Sequence, residues 1–223
     1  MLESATANFQ ASELGGTLTV SIAPSFASRW LLKRLGKFRA LYPTIAIEPE
    51  IASNLLDFGR SHIDVAIRHG SGAWPGLNAE KLFDETLWMV GSPQVANTIL
   101  AQDGTIDFAK AVLLTASVRT GELKIWLDES GSGGPEGREV IHYPTQALAL
   151  DGAVSGLGVA LADYRIVEDE VKEGRLVQVT DQTVQTGRGY YLVWPKGQAL
   201  DAKSHAFMTW LAEEISRHAN GYS

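Results

Sequence analysis

An α/β fold built from two small sheets side by side is what this sequence predicts, and three observations predict it. Strand-like and helix-like runs alternate along the whole length. The strand-like runs number about ten, many for one sheet in a chain of 223 residues. With 45% apolar and 20% charged residues, the chain can bury a sizeable core without staples. Strands alternating with helices of this length imply βαβ units and parallel sheets covered on both faces. Ligands then belong at the strand C-terminal ends, facing the crevice between the lobes.

The elements follow in order. Leu18 to Ile22 alternates with period two and reads as the first strand. A turn at Pro24-Ser25 leads to a helix with Leu31, Leu35 and Phe38 at helical spacing, with Lys33, Arg34 and Lys37 between them and Pro43 beyond its end. Ile45 to Glu50 reads as a strand, Leu55 to Arg60 as a short helix, and Ile63 to Ile67 and Thr86 to Val90 as strands. Val112 to Leu114 is a strand, and Glu122 to Glu129 a helix burying Leu123, Trp126 and Leu127. The glycine-rich stretch Gly131 to Gly137 reads as a surface loop. Val140 to His142 is a strand, Gln146 to Val154 a helix and Gly158 to Ala162 a buried strand. A helix from Tyr164 to Glu173 ends at Gly174, a C-terminal cap residue. Leu176 to Val179 and Tyr190 to Val193 are strands, and the last helix puts Phe207, Trp210, Leu211 and Ile215 on one face.

Composition removes several functions. The chain has no cysteine, so disulfides, thiolate nucleophiles and thiolate metal sites are excluded. Its 19 basic and 26 acidic residues give a net charge of −7, which makes the chain by itself a poor duplex binder. No apolar run reaches a membrane-spanning length. The start, with Glu3 and Glu13 and no continuous apolar core, does not resemble a secretion signal, so the chain is expected to be cytoplasmic unless a leader has been removed.

No catalytic constellation is found. The histidines at 62, 69, 142, 205 and 218 lack metal-binding spacing, and no metal or other cofactor is expected. No Gly-x-Ser-x-Gly elbow occurs, and Gly156-Leu157-Gly158 lies between a helix and a strand, the reverse of a dinucleotide fingerprint. The cluster Lys33, Arg34, Lys37 and Arg39 reads as a solvated or partner-facing helix side rather than a nucleic-acid patch. Ser25 and Ser28 follow the first strand and precede a helix, and Thr145 and Gln146 stand at another helix start. Such residues either cap the helix or cradle an anionic ligand group. Two such starts, one in each lobe, strengthen the case for a cleft.

Taken in order, Gly16-Thr17-Leu18-Thr19-Val20-Ser21-Ile22, Phe38-Arg39-Ala40-Leu41-Tyr42-Pro43 and Ile63-Asp64-Val65-Ala66-Ile67-Arg68-His69-Gly70 resemble the effector-binding domain of LysR-type transcriptional regulators. Gly72-Ala73-Trp74-Pro75-Gly76-Leu77, Glu80-Lys81-Leu82 and Tyr190-Tyr191-Leu192-Val193 resemble the branch that contains the glycine-cleavage activator and the β-lactamase regulator. The resemblance runs from about Leu14 to the final helix.

It implies a fold like the type II periplasmic binding proteins, two Rossmann-like lobes joined by two crossover strands near Val90 and Leu192. Lobe I would hold residues 16–91 plus 193–223, lobe II residues 92–192, and residues 1–15 would end a linker helix. The winged helix-turn-helix that such a linker joins is absent from this chain, so DNA would be met only through that missing domain. The function implied is that of a ligand sensor, not an enzyme: a small-molecule effector in the cleft changes homodimer or homotetramer geometry and so controls transcription, with no membrane partner. The alternative is a solute-binding protein of a transport system. By position, the resemblance makes Ser25, Phe26, Ser28, Arg68, Gly70, Thr145, Gln146 and Tyr190 ligand-binding. Arg68 could hold a carboxylate in bidentate fashion, or pair with Asp64 or Asp57. Trp74 either walls the pocket or packs under its own loop. Pro144 to Ala147 lacks the acid found in many relatives, which argues against a strongly cationic ligand group there.

Overall fold

The computed structural model describes residues 15–53, 58, 62–101, 106–119, 121–131 and 138–219. The expected helix at Leu55 to Arg60 and most of the glycine-rich loop lie outside these residues. The chain forms two compact units: residues 1–23, 31–84 and 188–223 make unit one, and residues 24–30 and 85–187 make unit two.

In unit one the strands β1 (Gly16–Ile22), β2 (Ile45–Ile51) and β3 (Val65–Gly70) run parallel, in the order β2-β1-β3, and β3 pairs antiparallel with the end of β8 (Val177–Pro195). Strand β1 is buried without interruption from Leu18 to Ile22, as a parallel strand covered on both faces must be. On one side helix α1 (Leu35–Leu41) meets the last helix, α6 (Ala202–Ala219), through Phe38, whose ring lies 5.5 Å from Phe207 and 5.1 Å from Trp210. The stripe Phe207, Trp210, Leu211, Ile215 is buried as its spacing requires. Lys37 of the basic cluster is engaged within this unit, on the fully buried Glu214 of α6, and Arg34 is itself buried. The other side packs Trp74 and Leu77 against Ala66, Tyr191 and Val193.

Unit two repeats the plan with β5 (Leu113–Ala116), β6 (Val140–Tyr143) and β7 (Val159–Asp163) parallel, and β4 (Leu77–Gly91) antiparallel to β7. Each unit therefore joins three parallel strands to an antiparallel neighbour, rather than being parallel throughout. Its core gathers Leu87, Met89, Ile99, Trp126, Leu127, Val159 and Leu161. Helices α3 (Glu122–Glu129) and α4 (Gln146–Val154) keep the predicted bounds, and α5 covers Tyr164–Lys172. Both α4 and α5 end in the same way. Gly156 and Gly174 take φ of 81° and 70°, and the next residue's N–H reaches back to the carbonyl of Gly152 (3.0 Å) or Glu170 (2.8 Å).

Three differences from expectation have local causes. Helix α2 (Pro93–Ile99) is additional; Ser92 caps it, accepting from Val95 N, with Pro93 in the first turn. The stretch after β1 is a single helical turn, Pro24–Phe26, then a π-helical turn, Ala27–Leu31, so the continuous helix read from Leu31 to Phe38 is broken. Strands β4 and β8 are long and continuous, so the strands expected at Leu176 to Val179 and at Tyr190 to Val193 merge into one run from Val177, and among the described residues eight strands stand where about ten were expected. The chain passes to unit two inside β4, after Asp84, and returns inside β8, after Gly187. Among the described residues no helix is long and apolar enough to cross a membrane.

Candidate functional site

Unit two brings Ser25, Phe26, Ser28, Thr145 and Gln146 to one region. The turn Pro24–Leu31 packs on α4, and Arg29 ties the two together: its Nη2 donates to Ala147 O at 3.3 Å and also holds Asp151, while Nη1 holds the buried Glu170 at 3.0 Å. Ser25 and Phe26 are buried, with Phe26 stacked on Trp30 at 5.0 Å. Ser28 is exposed, and its hydroxyl donates to Pro24 O at 3.0 Å, leaving the oxygen free to accept. Thr145 is the N-cap of α4 and accepts from Leu148 N at 3.4 Å. Thr145 thus makes a helix-cap bond, whereas Ser28 bonds back to the carbonyl four residues before it.

Gln146 is buried inside a polar network that local sequence did not reveal. Its Nε2 donates to Leu161 O at 3.0 Å and its Oε1 accepts from Arg119 Nη1 at 3.2 Å. Arg119 in turn holds Glu122 through Nε at 2.7 Å and Glu85 through Nη2. Thr186 donates to the other oxygen of Glu85 at 3.3 Å. Arg119, Glu85 and Glu122 are all buried. A small cavity opens beside them at the end of β5, against Thr115, Ala116 and Gln146. Arg119 and Glu122 stand three apart, a readable ion-pair spacing; Glu85, on another strand, offered no local signal. Two glutamates thus stand near Gln146 although the Pro144 to Ala147 segment itself carries none.

Arg68, Gly70 and Tyr190 lie together in unit one, on β3 and its partner β8. Arg68 faces Tyr191, His69 faces Tyr190 and Gly70 faces Gly189. Tyr190 is fully buried, with the His69 ring 5.1 Å away and the Phe83 ring 5.0 Å away. Gly70 is a seat for Trp74: a Cβ there would stand 2.8 Å from the indole. Trp74 packs under its own loop, edge-on to Tyr191 at 5.4 Å.

Arg68 is buried, and desolvation pushes its guanidinium down to about 10. It donates from Nη1 to Ile67 O at 2.9 Å and from Nη2 to Ser21 Oγ at 2.7 Å. Asp64, one expected partner, is taken by Lys203 at 3.0 Å and by Thr19 N at 2.9 Å. Asp57, the other, lies outside the described residues.

Burial also pushes the Asp163 carboxyl up, against the Arg165 guanidinium and the N–H groups of Thr86 and Arg165 that hold it down. This side chain caps α5 and lies at the end of β7.

The chain is similar to known proteins over nearly all its length. The family described as LysR substrate binding domain matches residues 11–216. The glycine cleavage system transcriptional activator of Escherichia coli K12 is 34% identical over 210 residues, which cover 94% of this chain and 68% of that protein. The transcriptional activator AmpR of Rhodobacter capsulatus is 32% identical, over 87% of this chain and 65% of its own length. Among solved structures, the effector domain of AmpR from Pseudomonas aeruginosa superposes with a TM-score of 0.80 at 28% identity, covering 93% of this chain and 98% of that one. The CrgA regulatory domain of Neisseria meningitidis, with a TM-score of 0.73 at 23% identity over 90% of this chain and 99% of that one, shares the fold. These relatives are transcriptional regulators, and with them the transport-protein alternative falls away. A mixed, mostly parallel α/β fold and a match to this family across both units place the chain in the LysR substrate-binding-domain family as the effector-binding, ligand-sensing domain of a LysR-type transcriptional regulator.

Proposed function

We propose that this domain senses a small polar metabolite or cell-wall fragment through Ser25, Phe26, Ser28, Thr145 and Gln146 of unit two and Arg68, Gly70 and Tyr190 of unit one. The observation that carries this reading is the gathering of the first five residues by Arg29, which fixes two separate hydroxyl-bearing helix starts in one region of unit two. Hydroxyls and a buried amide supply both donors and acceptors, the chemistry that fixes the orientation of a polar ligand.

The effector acts by binding rather than by reaction. It stabilises whichever conformation of the domain it prefers, by its difference in affinity between the two. A homodimer or homotetramer in the cytoplasm carries that change to a winged helix-turn-helix domain, which meets the DNA. The acidic balance of the present chain agrees with that division of labour.

A thermal-shift screen of this domain against polar metabolites and cell-wall fragments tests the proposal. An effector at about 100 times its dissociation constant stabilises the native state by about 2.7 kcal/mol, which raises Tm by several degrees in a domain of this size. Ser28→Ala and Tyr190→Phe should weaken the same ligand. A broad panel without a single saturable shift overturns the sensor reading and leaves the fold standing.

A further inference from the structure

Unit one carries a trough between two turns. Residues 74–77 close one turn, with Leu77 N–H donating to Trp74 O at 3.2 Å; residues 195–198 close the other, with Gln198 N–H donating to Pro195 O at 3.3 Å. Each has glycine in its third place, Gly76 at φ 77° and Gly197 at φ 82°, as a type II turn requires. The turns are stitched together. Lys196 N–H donates to Gly76 O at 2.9 Å, and Asn78 Nδ2 donates to Pro195 O at 3.3 Å. Trp74, Pro75, Leu77, Asn78, Ala79 and Lys196 line the trough.

Its apolar wall is fixed in place. A Cβ on Gly72 would stand 2.8 Å from the Tyr191 ring, so glycine there lets the loop after β3 lie flat on the sheet. Leu77 and Ala79, alternate residues of β4, join Trp74 in packing over Ala66, Tyr191 and Val193. A concavity held by hydrogen bonds and packing receives a ligand without first being ordered.

Its chemistry is divided. The Trp74 indole stays half-buried although its loop is pinned on both sides, which leaves aromatic surface open to the trough. Lys196 is the one charged residue among the described residues that line it. Its side chain is exposed, and only its backbone N–H is used in the stitching. An apolar wall with one cation at its rim suits a ligand with a flat apolar body and one anionic end. A single ammonium matches the single charge of a carboxylate better than a phosphate dianion.

We propose that this trough is a second ligand site, for an aryl carboxylate whose ring lies against Trp74 and Pro75 and whose carboxylate meets Lys196 Nζ. None of the residues proposed to hold the effector lines it, so the two readings stand or fall separately.

The experiment follows the tryptophan indole N–H signals of the 223-residue chain by ¹H–¹⁵N NMR during titration with sodium 1-naphthoate. Two controls run in parallel: 1-naphthylmethanol, which keeps the ring without the charge, and sodium acetate, which keeps the charge without the ring. The chain has six tryptophans, and the Trp74 signal is identified by its loss in Trp74→Phe. It should shift saturably with naphthoate, bind naphthylmethanol about two- to fivefold more weakly, and give no saturable response to acetate. Lys196→Gln should lower naphthoate affinity to that of naphthylmethanol and leave naphthylmethanol affinity unchanged. This variant keeps the backbone bond that joins the turns, so the fold is retained. A Trp74 signal that does not move, or that moves less than another indole signal, overturns the proposal. Equal affinities for naphthoate and naphthylmethanol, or for naphthoate in wild type and Lys196→Gln, overturn the carboxylate contact and with it the assigned ligand class.

Discussion

Arg119→Met should be among the most damaging single substitutions in unit two. Arg119 is enclosed with Glu85, whose side chain is fully buried, and with Glu122, whose side chain is 5% exposed. Methionine fills most of the aliphatic stem, so the cavity left is small and the cost is mainly electrostatic. Removing the cation takes from both carboxylates the charge that Arg119 supplies, and breaking a buried pair in this way costs about 3–5 kcal/mol. At about 2–4 °C per kcal/mol for a chain of this length, Tm should fall by roughly 6–20 °C. Urea unfolding is the assay, read as a shift in midpoint at unchanged slope. A triple variant adding Glu85→Gln and Glu122→Gln should recover most of the loss, because replacing a whole buried ionic network is often close to neutral. A loss below about 1 kcal/mol for Arg119→Met, or no recovery in the triple variant, would refute the claim that this cation neutralises two buried acids.

Other substitutions separate structural from binding roles. Thr145→Ala should cost about 0.5–2 kcal/mol as a lost helix cap; if it also weakens an effector more than tenfold, the hydroxyl serves the ligand as well, which the thermal-shift titration reads. Gly158→Ala should destabilise by several kcal/mol in urea, since its Cβ would lie 2.2 Å from the carbonyl oxygen of Val112, a backbone atom with nowhere to go. Lys124→Ala removes an exposed pair with Asp128 on α3 and should change stability by no more than about 0.5 kcal/mol. Asp163 has a folded pKa raised above its ordinary 3.8, so the stability it contributes is fully present below that pH and is lost as pH rises through the folded value. Asp163→Asn, followed by Tm from pH 4 to 7, should therefore compare best with wild type at the upper end.

The fold was legible wherever a local rule governs an element. Helices α3 and α4 fall at their predicted bounds because a glycine precedes one and a threonine cap the other, and glycine ends α4 and α5. The signal for α2 was also present, as Ser92 followed by Pro93. What local reading could not reach was length set by pairing. Gly189 interrupts the apolar pattern of β8 because Phe83 O would stand 2.3 Å from any Cβ there; a contact made by tertiary structure looks in sequence like a strand end. The chain around Leu31 is likewise not one helix, because a π-helical turn, Ala27–Leu31, which sends Arg29 onto α4, precedes a separate α1.

The site divides along the same line. Residue types at strand ends pointed to Ser25, Ser28, Thr145 and Gln146, because capping hydroxyls and ligand hydroxyls occupy the same places for the same reason: both serve backbone N–H groups that the fold leaves without partners. The ion pairs that hold them in place were not legible. Arg29 reaches Asp151 across 122 positions and Arg119 reaches Glu85 across 34, separations that no spacing rule addresses. Sequence showed Arg68 beside two aspartates, Asp64 and Asp57, and offered an ion pair as the simplest account. The fold spends Asp64 on Lys203 and the backbone of β1. An arginine that looks paired by its neighbours in sequence is therefore a buried cation bonded to Ile67 O and Ser21 Oγ, because tertiary structure, not proximity along the chain, decides which charges meet.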